Sequence, residues 1–429
     1  MTVRFGEVSG RVVSVEPGIV VVEVPLEILP GEVTLTLEVR GVAAVATAVV
    51  AIVVPSAAFR SLSAGSGFTC GVLREGGASC WGIGVSGQLG SGPALIQSLL
   101  PVPVSGGGTY VAVSSGSAHT CGIDGAGTAH CWGKNDEGQL GSGGTSSSTV
   151  PTAVAGGLTF ESVSAGIFHT CGLVASGEAF CWGDNTHGQL GEGTSTPSLV
   201  PVRVAGGLHF TTLSTGGFHT CGIEASAVGR LHCWGRNAHG ELGNGTRTDA
   251  AVPVPVAGGP SFAVVSAGRQ PPVGLAAVGE HTCGITRDGQ AYCWGFNEQG
   301  QLGNGGGGES LTPVRVSDNR GFVSIAAGAF HTCGVTAGGE ALCWGANDAG
   351  QLGTALLNPS FATPVPVLGR LRFSSITAGG ASKSSLRGVR AHTCALTPEG
   401  FAFCWGRNGS GQLGAGFSGE QSLPVVVGG

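Results

Sequence analysis

Charge is scarce in this chain. Lys and Arg number 20 and Asp and Glu 26 in 429 residues, leaving a formal net charge of −6. No basic block is present to neutralise a phosphate backbone, so composition speaks against nucleic-acid binding. Long apolar runs are also missing. The best candidate, VAAVATAVVAIVV ahead of Pro55, has 13 residues, whereas a spanning helix needs about 20. Its β-branched residues read as a buried strand pair, with a membrane-associated segment as the alternative. Met1 is followed by Thr2-Val3-Arg4-Phe5 rather than an apolar signal segment. No P-loop, dinucleotide fingerprint or EF-hand loop occurs. Neither a cofactor nor a metal is therefore expected, and no catalytic constellation stands out. Apolar residues reach 41%, too many for a disordered chain.

Two residue types are abundant. Glycine occurs 81 times without a strict Gly-X-Y period, which excludes collagen and fits many tight turns. Cysteine occurs 14 times, in seven pairs: Cys70/Cys80, Cys121/Cys131, Cys171/Cys181, Cys221/Cys233, Cys283/Cys293, Cys333/Cys343 and Cys394/Cys404. Six pairs are ten residues apart and the fourth is twelve. An even separation across a hairpin places both side chains on one sheet face, and a two-residue extension preserves that facing. Zinc sites use closer spacings and four ligands together. The pattern predicts one disulfide per unit, with free core cysteines as the alternative. Seven disulfides imply a periplasm, cell surface or secreted location.

The pairs punctuate a longer repeat. Successive first cysteines are 51, 50, 50, 62, 50 and 61 residues apart, a period typical of repeat architectures. The third unit predicts four short strands near 160–165, 168–174, 178–183 and 201–204. A four-stranded sheet has two faces to bury, and a ring of seven such sheets buries both. Every tryptophan follows a second cysteine: Trp81, Trp132, Trp182, Trp234, Trp294, Trp344 and Trp405. Seven equivalent indoles read as inter-blade core. His119, His169, His219, His281, His331 and His392 repeat as well, with Phe68 in the first unit. They are expected to hydrogen-bond neighbouring backbone, and Asn135, Asn185, Asn237, Asn297, Asn347 and Asn408 to tie down loops.

The His-Thr-Cys-Gly, Cys-Trp-Gly-x-Asn and Gly-Gln-Leu-Gly motifs resemble the regulator of chromosome condensation (RCC1) repeat family. The resemblance runs from about Phe59 to Val427 and implies a seven-bladed β-propeller. It also implies closure by the C-terminal strand Leu423–Val427 combining with strands of the first repeat. The paired cysteines resemble secreted bacterial members. The namesake's exchange wedge and basic tail have no counterpart here, so no functional residue transfers. Residues 1–54 resemble the later strands of an IPT/TIG immunoglobulin-like domain. The expected organisation is an all-β chain: a partial β-sandwich segment over 1–54 and a propeller over 55–429.

Two units are longer at the same place. Two residues normally separate the Ala-Gly turn from His, but twelve separate Gly268 from His281 and Gly379 from His392. Insertions on one face of a repeat protein often form its binding side. Arg269, Gln270, Pro271, Pro272, Lys383, Arg387 and Arg390 form the candidate binding face. The sequence is read as a noncatalytic extracytoplasmic protein-binding or scaffold protein, an accessory subunit of a cell-envelope complex, with residues 1–54 available for membrane association. A glycan-binding module and an enzyme with its site at the channel mouth are the alternatives.

Overall fold

The computed structural model describes residues 57–428 except 93–94, 270–279, 356–358, 370 and 381–390. Of residues 1–56 it describes the strands 2–5, 8–16, 19–23, 31–38 and 45–52. The chain divides into two compact units, Met1–Ser56 and Ala57–Val427.

In the first unit all five strands form one antiparallel sheet, in the order Ile19–Glu23, Val8–Glu16, Thr2–Phe5, Gly31–Glu38, Val45–Ile52. A sandwich needs two facing sheets, so the immunoglobulin-like reading of residues 1–54 is corrected to a single sheet. The apolar run ahead of Pro55 supplies one strand of it rather than a strand pair.

The second unit is a ring of seven four-stranded antiparallel sheets. Blade three contains Phe160–Ala165, His169–Val174, Ala179–Gly183 and Ser198–Arg203. Its last strand starts three residues before the sequence reading, because Ser198 already pairs with Gly183. The middle hairpin sets the register of each blade. Cys171 lies opposite Cys181, and Thr170 opposite Trp182. Adjacent residues point to opposite faces, so the disulfide faces one neighbouring blade and the Thr–Trp pair faces the other.

All 14 cysteines are paired within their own blades. The disulfides are Cys70–Cys80, Cys121–Cys131, Cys171–Cys181, Cys221–Cys233, Cys283–Cys293, Cys333–Cys343 and Cys394–Cys404. None is free, which removes the alternative of unpaired core cysteines. Their Cα–Cα distances are 4.0–4.1 Å, closer than the usual disulfide range of about 4.4–6.8 Å. The reason is the register: each pair occupies directly opposed positions of a tight hairpin, as Cys121 and Cys131 do. Each disulfide packs against the tryptophan of the next blade, as Cys70 and Cys80 do against Trp132.

Each interface is joined by the same polar device. The Gln139 carbonyl in blade two accepts from Trp182 Nε1–H at 3.0 Å and from the Thr170 hydroxyl at 2.9 Å, both in blade three. Equivalent double bonds end on the carbonyls of Gln88, Gln189, Glu241, Gln301, Gln351 and Gln412. The indole is thus buried with its one donor satisfied, as a core tryptophan requires. The last glycine of Gly-Gln-Leu-Gly is dictated by this contact. At Gly141, with φ +68°, a Cβ would lie 2.7 Å from the Trp182 nitrogen.

Closure does not use strand exchange. Blade one contains only Phe59–Ala64, Phe68–Leu73, Ala78–Ile83 and Gln97–Pro103, and blade seven only strands between Ser375 and Val426. The expected sharing of the C-terminal strand with the first repeat is therefore corrected. The last repeat supplies four strands of its own, and the seventh interface is built like the other six. Trp81 Nε1–H and the Thr69 hydroxyl bond the Gln412 carbonyl at 3.0 and 3.1 Å. Phe59 and Trp81 pack in one cluster with Cys394, Cys404 and Leu413.

Candidate functional site

The first strands of the blades stand side by side around the axis. A hydroxyl from each accepts the backbone N–H of the next. Ser63, Ser114, Ser164, Ser214, Ser266 and Ser324 bond the amides of Ser115, Ala165, Thr215, Ala267, Ala327 and Ile376, and Thr377 bonds that of Ala64. These hydroxyls satisfy inner-edge amides that would otherwise lack a partner. Their sequence signal was the serine four residues into most of the first strands.

The turn after each of these strands leads to the repeat histidine. In six interfaces the imidazole Nε2 bonds a threonine hydroxyl of the next blade at 2.8–2.9 Å. The expected backbone partner is thus replaced by a threonine side chain of the next blade. Phe68 leaves the seventh interface without this bond, and the Thr120 hydroxyl there donates to the Gln88 carbonyl at 3.2 Å. Burial drives His119, His169, His281, His331 and His392 down to about 3, so all five are neutral. Among the described residues no group of three or more His, Cys, Asp or Glu is placed to hold a metal. The motif asparagines organise the outer loops. Asn185 Nδ2 donates to the carbonyls of Thr194 and Thr196, and its Oδ1 accepts from Leu190 N–H.

The repeated cysteines and tryptophans are brought together in the blade interfaces, where they are core and not part of a solvent-facing site. Cys121 and Cys131 pack with Trp182, Cys283 and Cys293 with Trp344, and Cys333 and Cys343 with Trp405. All six of these sulfur-bearing residues are fully buried. The two members of a pair differ in polar contact. The sulfurs of Cys121, Cys283 and Cys333 lie within 3.8–4.0 Å of the threonine hydroxyl of the next blade. Cys131, Cys293 and Cys343 instead sit opposite Thr152, Val314 and Val365 of the outer strand, so their part is packing and register alone.

The same turns carry the blade-five and blade-seven insertions. Of the candidate binding face only Arg269 is described; Gln270, Pro271, Pro272, Lys383, Arg387 and Arg390 lie outside the described residues. Arg269 does not present its charge outward. Its guanidinium crosses the axis from blade five, donating to the carbonyl of Ser115 in blade two and, at 3.3 Å, to that of Thr215 in blade four. Burial lowers its pKa to about 10, so it stays charged. Around this end lie half-buried Phe168 and Phe218, with ring centroids 6.0 Å apart. Lys134 sits 5.6 Å over Phe168, and His187 meets the edge of Phe218. Polar side-chain contacts link the neighbouring loops. His187 bonds Asp249 at 2.9 Å, and Glu309 joins His239 and Arg247. Burial pushes the Glu309 carboxyl up, but those two partners outweigh it and the net shift is down.

The blade four–five interface differs from the others. Glu241 replaces the motif glutamine, Glu280 precedes His281 where the other five histidine-bearing blades have Ala or Phe, and Gly217 occupies a turn position that is Ser, Ile or Ala in several others. Glu241, Glu280 and His219 are fully buried. The sequence reading passed over these residues. Their signal was departure from the repeat, visible only once the repeats are aligned blade by blade.

Comparison with known proteins places this geometry. The description "Regulator of chromosome condensation (RCC1) repeat" matches residues 126–173, 176–223, 228–271 and 288–335. A second form of the same description matches 110–139, 160–189, 273–301, 322–351 and 389–412. Neither match falls on residues 1–54. The ultraviolet-B receptor UVR8 of Arabidopsis thaliana is 31% identical over 214 residues, 46% of this chain and 42% of that protein. The human E3 ubiquitin-protein ligase HERC2 is 34% identical over 91 residues, 21% of this chain and 2% of that protein. The chain thus spans less than half the length of these curated relatives. Among solved structures, Prp20p of Saccharomyces cerevisiae, described with its binding to Gsp1p and histones, superposes with a TM-score of 0.69 at 21% identity. It covers 86% of this chain and 87% of that one. The same yeast protein has also been solved bound to Kap60.

These findings correct three expectations. The matched relatives are plant, mammalian and yeast proteins, so the resemblance to a secreted bacterial type does not hold. The periplasmic, cell-surface or secreted assignment falls with it, since the structural relative binds histones and Kap60. The exclusion of catalysis is also withdrawn, because HERC2 and HERC5 are ligases.

Proposed function

Because the chain belongs to the regulator of chromosome condensation (RCC1) repeat family, we propose that it is a protein-binding propeller. Its recognition surface is the face bearing the blade-five and blade-seven insertions. One observation carries this reading: two ten-residue excesses enter at the same topological position of the repeat, and the blade-five root Glu280 contacts the half-buried Phe218. Part-exposed aromatics ringed by charge suit a protein interface core and rim. The binding of Gsp1p, histones and Kap60 by the yeast relative supports a protein partner. The cationic side chains of the second insertion, Lys383, Arg387 and Arg390, favour an acidic segment on that partner. The aromatic side chains of the repeat are occupied in blade interfaces, which weakens the glycan alternative. The proposed membrane association rests on residues 1–54, whose side chains lie outside the described residues.

A second reading, an enzyme with its site at the channel mouth, has one observation in its favour: Glu241, Glu280 and His219 gather at the blade four–five interface. All three are closed to solvent, so substrate contact would require that interface to open.

The test is cross-linking in native cells, comparing the full chain with a variant lacking residues 270–279 and 381–390. The reading expects a protein cross-linked by the full chain and lost from the variant. Equal recovery by both would refute the insertion face.

A further inference from the structure

One of the six repeat histidines has a different proton inventory from the rest. Each threonine hydroxyl donates to a carbonyl of the preceding blade, so its oxygen can only accept from the imidazole, and Nε2 carries the proton. In His119, His169, His281, His331 and His392 the buried Nδ1 has no partner among the described residues. In His219, Nδ1 lies 3.0 Å from Glu280 Oε2, with both side chains fully buried. A proton must lie between them. Glu280 Oε2 also accepts the Phe218 N–H at 3.1 Å, and a carboxylate oxygen accepting two N–H donors is stabilised in its ionised form.

We infer that His219 is a buried imidazolium paired with the Glu280 carboxylate, and that this pair and Arg269 clamp the blade-four turn at residues 215–219 between the two roots of the blade-five insertion. The grip is visible on both sides of the turn. Before the insertion, Arg269 Nε donates to the Thr215 carbonyl at 3.3 Å, and Gly217 N–H donates to the Gly268 carbonyl at 3.1 Å. After it, Glu280 holds Phe218 and His219. The turn is cut to receive the carboxylate: a Cβ on Gly217 would lie 1.6 Å from Glu280 Oε1. Among the described residues no such pair marks the roots of the blade-seven insertion, where Gly380 faces Ser66 and the Arg269 carbonyl. The ionisable neighbours are Arg269, bonded to the same turn, His169, His281 and Glu241. His169 and His281 are held neutral by burial. Glu241 is raised by burial, with one oxygen bonded to the His239 amide and the other unpartnered. The clamp fixes where the blade-five insertion leaves the ring, and a preordered root reduces the ordering cost of binding. This role rests on the protein-binding reading; the ion pair and the grip do not.

The test uses the full chain labelled with 15N-histidine, observed by long-range proton–nitrogen correlation at neutral pH, with His219→Gln identifying its signal. His219 is expected to show two protonated ring nitrogens and the other five repeat histidines one each. A single protonated nitrogen on His219 would overturn the ion pair. Glu280→Gln retains an acceptor but not the charge. It should convert His219 to the one-proton pattern and speed amide exchange over 215–219 and 266–269 roughly tenfold or more. The two-proton signature with unchanged exchange in Glu280→Gln would overturn the clamp. If that variant does not fold, the wild-type spectrum still decides the pair, and exchange in Arg269→Gln decides the grip. Partner recovery unchanged in a folded Glu280→Gln whose exchange has risen would count against the protein-binding face and leave the clamp standing.

Discussion

Removing one hydroxyl should have very different consequences in two neighbouring blades. Thr170 and Thr120 occupy equivalent positions, and both donate to a glutamine carbonyl of the preceding blade. Only Thr170 also accepts a histidine N–H, from His119 at 2.9 Å, because blade one has Phe68 where His119 stands in blade two. Thr120→Val therefore removes one hydrogen bond from the Gln88 carbonyl, which keeps its bond from Trp132. That costs about 0.5–1.5 kcal/mol. Thr170→Val removes the same bond and also strands the fully buried His119 Nε2–H. An unsatisfied buried donor adds about 1–3 kcal/mol, for a total of about 1.5–4.5 kcal/mol. Valine matches threonine in shape, so the packing term is shared and cancels in the comparison. Urea unfolding followed by tryptophan fluorescence under non-reducing conditions gives both values. Equal losses in the two variants, or the larger loss in Thr120→Val, would refute the histidine–threonine link as a determinant of interface stability.

Two further outcomes follow from the same geometry. Five repeat histidines are held near 3 in the fold against an ordinary value of 6.5. They stay neutral when folded but take up protons when unfolded. Stability should be full above about pH 6.5 and fall as pH drops toward 3, by roughly 1.4 kcal/mol per pH unit for each histidine. A urea midpoint unchanged between pH 7 and pH 5 would contradict this. Trp182→Ala should cost about 3–5 kcal/mol, since the indole is fully buried at the blade two–three interface; a loss under 1 kcal/mol in the same urea assay would show that the interface repacks.

Local chemistry made the blade legible and left the joints obscure. Cys171 and Cys181 are ten residues apart across a turn, so one strand pair and its register follow from alternation alone. The extra two residues between Cys221 and Cys233 keep that register. The partner of His169 was not legible, because Thr220 lies in the next blade and the repeat spacing does not say which neighbour faces which. Closure was obscure for a similar reason: a last repeat with four strand-like segments is compatible with strand exchange or with a self-contained blade. Arg269 looked like a surface cation, yet the axis offers it the carbonyls of Ser115 and Thr215. Glu280 and Gly217 make sense only as a pair, and they are 63 positions apart in the sequence.

The indole protons test the ring most directly. All seven tryptophans donate to a carbonyl of the preceding blade, and Trp81 reaches Gln412, near the other end of the chain. Hydrogen exchange of the seven resolved Nε1–H signals in 15N-tryptophan-labelled protein should show all seven protected to a similar degree. A Trp81 signal exchanging orders of magnitude faster than the other six would mean that blades one and seven do not meet.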